Sequence, residues 1–243
     1  MAVSQTMTAV ADDDIARIVL DTGRRGRGCL PGLIAAPDLA AMRASVGSAV
    51  ERSQGSHVGF TGPDAVAGSR LDALAASPDF RDLIRSIYDR GTGRPAPAED
   101  FHQVPRCLAG SGMDRHSLRF HCDSSGTTAL VPVEIPGTGR TGDLVMLPNI
   151  RRSRASYFAD LVDKVLLDNA ATQLALRVLL KLRLLPLVRI KPRPGDIYFF
   201  WRYRSIHTNE ACDPDKVRAT ALFHDADPHA ANRWKRSAGR AAA

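Results

Sequence analysis

One short run has residue types that could do chemistry together: His121-Cys122-Asp123, at the end of the β-prone stretch 117–121. Side chains at i and i+2 of an extended segment point to the same side. His121 and Asp123 therefore share a face, while Cys122 turns away and reads as a small buried filler. An imidazole nitrogen and a carboxylate oxygen together suit a first-row divalent metal such as iron(II). A third ligand must come from elsewhere in the chain. His207 is the natural choice, because it follows the run PGDIYFFWRYRS at 194–205. Two histidines and one carboxylate on one face leave the opposite coordination positions for substrates and dioxygen.

Arg218 extends the constellation. It stands eleven positions after His207, at the start of the β-prone run VRATALFH. A guanidinium inside a barrel needs an anionic partner, since an unpaired buried charge is costly. The distal carboxylate of 2-oxoglutarate would be a two-pronged partner. Thr220 shares the face of Arg218 and could add a hydrogen bond to the same carboxylate. Arg119, two positions before His121, has two readings. It contacts the proximal carboxylate of the cosubstrate or an acidic group on the substrate, or it is a strand-edge arginine paired with a carboxylate such as Glu134. His224 shares strand parity with Arg218 and Thr220 and reads as structural. Tyr198, Phe200 and Trp201 read as core.

The elements that would position these residues differ between the two halves of the chain. Residues 1–102 read as a mainly helical support region. A first helix starts at the acidic run Asp12–Asp14 and stops at Gly23. A second runs from Asp38 after Pro37 through LAAMRASVGSAVERS, and a third covers DFRDLIRSIYDR and ends at Gly91. Residues 54–70 read as a loop and 91–100 as a linker. From Gln103 onward short β-prone runs appear at 117–121, 127–135, 142–149, 187–191, 196–201 and 217–224. A helical insertion at 155–182 interrupts them. Residues 227–243 form a basic tail. The fold class is α+β.

HCD, TTALVPVEIP, PRPGDIYFF, the single His207 and RAT at 218–220 together resemble the iron(II)/2-oxoglutarate-dependent dioxygenase superfamily. The resemblance spans residues 103–226 and implies a double-stranded β-helix (jelly-roll or cupin-like) core. It implies Fe(II) on His121, Asp123 and His207, with 2-oxoglutarate on Arg218 and O2 as co-reactant. The implied reaction releases succinate and CO2 and hydroxylates or desaturates a substrate. Asp123 argues against the related halogenases, which resemble this pattern with a small residue in that place. Asn149 departs from the resemblance, standing where relatives acting on small molecules often carry a Gly-Ser-His turn.

Bulk properties narrow the partners. The 33 Lys and Arg exceed the 26 Asp and Glu, for a net charge of +7, which favours anionic partners. The clusters at 24–27, 151–154 and 233–240 read as solvated faces and tails and not as a continuous nucleic-acid stripe. Four scattered cysteines form no CxxC pair, which fits a reducing compartment. The N-terminus lacks a secretory pattern, and the apolar stretch 174–190 is broken by Arg177, Lys181, Arg183, Pro186 and Arg189. The expectation is a soluble, cytoplasmic enzyme of specialised metabolism with a small-molecule substrate. Two alternatives remain open: an oxygenase acting on nucleic acid or protein, and a non-catalytic cupin-like binding protein.

Overall fold

The computed structural model describes Met7 and residues 10–52, 67–96, 102–108, 117–122, 126–150, 165–201 and 204–225. Helix α1 (Asp12–Arg25) has three aspartates in its first turn and Arg24 and Arg25 in its last, both matching the helix dipole. It runs past Gly23, the expected stop. The true cap is Gly26, at φ +78°, whose N–H bonds Thr22 O at 3.1 Å. Strand β1 (Gly28–Leu30) follows, unforeseen inside the helical region. Helix α2 (Ala36–Arg52) begins two residues before Asp38, since proline is tolerated in a first turn. Helix α3 (Arg70–Ala76) was also unforeseen, although Ser69 caps it by accepting from Asp72 N–H. Helix α4 (Pro78–Thr92) starts at a proline and is capped by Gly93, not Gly91.

The strands form two antiparallel sheets. In the larger, β2 (His102–Leu108), β3 (Thr127–Glu134), β6 (Ile197–Trp201) and β8 (Arg218–Asp225) join β1 in the order β1-β6-β3-β8-β2. The smaller has the order β5-β4-β7, from β4 (Leu144–Leu147), β5 (Val188–Ile190) and β7 (Ile206–Asn209). Helix α5 (Ala170–Lys181) occupies the expected insertion, with Asn169 accepting from Ala171 N–H at its start; residues 151–164 lie outside the described residues. The expected strand at 117–121 is reduced to an isolated bridge between His121 and His207. Leu118, at φ +53°, breaks the extended run there.

Strand alternation sorts the core into two layers. Ala129, Val131, Val133, Ile197, Phe199, Trp201, Ala219, Ala221 and Phe223 pack against the helices. The alternate residues Leu130, Tyr198, Phe200 and Leu222 face inward, onto Leu144, Met146 and Ile190 of the smaller sheet. Each such side chain, fully buried, contributes about 1.5–3 kcal/mol. Trp201 therefore belongs to the helix-facing layer, whereas Tyr198 and Phe200 line the space between the sheets. Asn149, at φ +52°, is a tie between elements: its side-chain amide donates to Thr22 O at 3.1 Å and Gly23 O at 2.9 Å. It thus joins the end of the β4 turn to the C-terminus of α1.

A Cβ placed on Gly91 would collide with the indole of Trp201, which is 2% exposed. Helix propensity alone favours Ala over Gly by about 1 kcal/mol, whereas overpacking costs about 1–3 kcal/mol. Gly91→Ala is expected to lower stability by about 1 kcal/mol net, read as a lower denaturant midpoint. A raised midpoint would show that the indole can move aside.

Candidate active site

The short segment 118–121 lies alongside β7. Leu118 N–H donates to Asn209 O at 2.8 Å, and His121 and His207 exchange both backbone bonds, each 3.0 Å. A pair that exchanges both bonds places its side chains next to one another. The two imidazole centroids are 4.4 Å apart. His207 is 4% exposed, and its ring also meets Phe200 edge-on, centroids 5.7 Å apart. Alternation holds around His121: Phe120 and Cys122 turn the other way, into a cluster with Leu167.

The hydrogen bonds of the two rings fit metal ligation. His121 Nδ1 lies 3.0 Å from Arg119 O, and His207 Nδ1 lies 3.3 Å from Ser205 O. A carbonyl only accepts, so in each neutral ring Nδ1 carries the proton and the lone pair sits on Nε2. Such an outer bond is what orients a metal-binding histidine. Asp123 lies outside the described residues, and the described His, Cys, Asp and Glu residues form no group of three. The donor set among the described residues is therefore the two imidazoles. The thiols are poor additions to it. Burial, with Asp196 nearby, pushes Cys29 up to about 11, and burial raises Cys212 as well, so both remain protonated at neutral pH.

Arg218 lies on the inward face of β8 and is 0% exposed. Its Nε donates to Gly142 O at 2.6 Å, its Nη2 to Asn209 Oδ1 at 3.0 Å and its Nη1 to Thr220 Oγ1 at 3.5 Å. Thr220 thus shares its face, as parity predicted. Gly142 is required twice over: its φ is +70°, and a Cβ there would run into the Arg218 side chain. Sequence reasoning missed Gly142 and Asn209. Asn209 was findable, since it stands two residues after His207 on the same strand face.

Arg119 sits differently from its expected interior position. It shares the His121 side of the segment, but its long side chain swings outward, 68% exposed, to an ion pair with Asp168 at 3.4 Å. Nor does it pair with Glu134, which binds Arg43 at 2.8 Å. Water solvates the exposed guanidinium, so nothing holds it in the barrel. His224 is structural as expected, its Nδ1 2.9 Å from Thr128 Oγ1 in a buried pair.

No protein-family model matches the chain, and no curated protein sequence matches it. Solved structures do. A prolyl-4-hydroxylase from Pseudomonas putida is 12% identical over 92% of this chain and 98% of its own, with a TM-score of 0.57. AviO1 from Streptomyces viridochromogenes Tue57 is 14% identical over 90% of this chain and 97% of its own, with a TM-score of 0.59. The non-haem α-ketoglutarate-dependent epimerase SnoN of nogalamycin biosynthesis is 15% identical over 89% of this chain and 82% of its own, with a TM-score of 0.57. The fold is the double-stranded β-helix that these solved structures share, carried by a chain with little sequence identity to them.

Two loops beside Arg218 are clamped by one carboxylate. Asp213 accepts from Arg140 Nε and from Arg140 N–H, each at 3.0 Å, and from Lys216 at 3.2 Å. The Arg140 side chain, its backbone N–H and then Lys216 hold the Asp213 carboxyl below its ordinary value of 3.8. A lowered carboxylate pKa stabilises the fold above the unfolded value, and that stability is lost as pH falls through the folded value. Asp213→Asn is therefore expected to lower Tm at pH 7, with a difference from wild type that shrinks below about pH 4. A difference that persists undiminished at pH 3 would mean that packing, not charge, carries the effect.

Proposed function

We propose that the chain is an Fe(II)- and 2-oxoglutarate-dependent oxygenase that hydroxylates or desaturates a small organic metabolite, with release of succinate and CO2. The observation that supports it best is the side-by-side seating of His121 and His207 in a double-stranded β-helix whose interior also buries Arg218. In this reading His121, Asp123 and His207 hold the iron, leaving adjacent positions for cosubstrate and dioxygen. Iron bound there supplies reduction of dioxygen coupled to decarboxylation of the 2-oxo acid. The chain's own residues do the remaining work. Arg218 and Thr220 receive the distal carboxylate, where a planar guanidinium gives two parallel donors in a water-poor space. Phe200, packed on His207, and the neighbouring inward residues Leu130, Tyr198 and Leu222 keep that space apolar.

The small-molecule substrate has support from the similar structures, which include an epimerase and a carbocyclase of nogalamycin biosynthesis. Others among them are prolyl hydroxylases, one in complex with a peptide. A peptide substrate is the second reading.

The test is succinate release from 2-oxoglutarate with Fe(II), ascorbate and oxygen. Asp123→Ala is expected to abolish release. Arg218→Lys keeps a cation but loses the two-pronged donor, so the KM for 2-oxoglutarate should rise about tenfold, roughly 1.4 kcal/mol, with a smaller change in kcat. Undiminished release by Asp123→Ala, or no release by the wild-type chain, would overturn the proposal.

A further inference from the structure

The segment that carries His121 has two edges, and they are held by different means. One edge pairs with β7 through the two backbone bonds between His121 and His207. On the other, Phe120 presents its own N–H and C=O, and a side chain meets both. Gln173 Oε1 accepts from Phe120 N–H at 3.0 Å, while Gln173 Nε2 donates to Phe120 O at 2.7 Å and to Leu167 O at 2.7 Å. Gln173 is 7% exposed. Its orientation is forced, because an N–H needs an acceptor and the two carbonyls need donors.

A carboxamide offers the same donor and acceptor as a peptide unit. Gln173 therefore stands in for a neighbouring strand at an edge where α5, not a strand, packs. One turn further along α5, Arg177 Nε donates to Leu118 O at 3.0 Å. Leu176 and Leu180 of α5, like Ile206 of β7, pack against the cluster of Phe120, Cys122 and Leu167. The helix thus grips the residues that flank His121. Backbone polar groups buried without partners cost about 1–3 kcal/mol each, and Gln173 satisfies three of them at once.

We infer that Gln173 is a positioning residue for the metal site, fixing the backbone of Phe120 and with it the direction of the His121 imidazole toward His207. The inference rests on the proposed metal site. It assigns a purpose to the helical insertion: α5 completes the sheet edge that carries a ligand. A ligand pair needs its geometry held to within about 0.5 Å, and a bridge of one residue pair does not secure that alone.

The test uses the full chain, Ni(II) as an unreactive probe, and amide hydrogen exchange without metal. Gln173→Glu keeps the shape and the acceptor for Phe120 N–H but cannot donate to Phe120 O and Leu167 O when ionised. Gln173→Asn keeps the carboxamide but falls a methylene short. Both are expected to weaken Ni(II) binding about tenfold, the low end for residues that orient metal ligands. Both should also speed exchange at the amides of His121 and His207 while exchange in α1 and α4 stays as in wild type. Leu174→Ser, on the exposed side of the same helix at 63% exposure, should change neither readout. Tight Ni(II) binding by wild type with unchanged affinity and exchange in both Gln173 variants would overturn the inference and leave the metal site standing. So would a loss of Tm in which exchange rises evenly across the chain. Absence of Ni(II) binding by wild type would overturn the metal site, and the inference with it.

Discussion

A single antiparallel residue pair organises the proposed site. His121 and His207 come from stretches 86 positions apart (207 − 121) and meet through two reciprocal backbone bonds of 3.0 Å. A bridge of this kind sets side-chain direction as well as proximity, because residues directly opposite project to the same side of the sheet. Displacing the pairing by one residue would turn one imidazole to the other face. In this register the His207 ring also meets Phe200 edge-on.

The remainder of the fold keeps the register in place. The larger sheet turns Ala219, Ala221 and Phe223 toward helices α1, α3 and α4, so that the alternate residues Arg218, Thr220, Leu222 and His224 are left for the interior. The burial of Arg218 is thus a consequence of which face of β8 the helices cover. The carbonyl of Gly142, in the turn before β4, and the amide of Asn209 on β7 then aim the guanidinium. Helix α5 secures the far edge of the His121 segment, and Asn149 ties the β4 turn back to α1.

Much of this was readable in the sequence, for physical reasons particular to each element. Long β-prone runs such as TTALVPVEI and DIYFFW became β3 and β6, because their alternating residues are buried on both sides. The first and third expected helices became α1 and α4, while their caps slipped by three and two residues because Gly26 and Gly93, not Gly23 and Gly91, cap them in the left-handed conformation. What escaped was short or depended on distant partners. Strand β1 has three residues and exists through its pairing with β6, and α3 has seven. In the site, strand parity placed Thr220 beside Arg218 and turned Cys122 away from His121. Parity could not foresee that Arg119, on the correct face, would reach outward to Asp168. Gln173 had no legible signal, since its role is defined by the backbone atoms of Phe120 and Leu167.

The central claim, that His121 and His207 both bind one metal ion, is most directly tested by X-ray absorption at the iron edge. The chain would be loaded with Fe(II) and 2-oxoglutarate under anaerobic conditions. The account predicts the scattering pattern of two imidazole ligands, with oxygen atoms completing the shell. A sulfur neighbour, or fewer than two imidazoles, would contradict it.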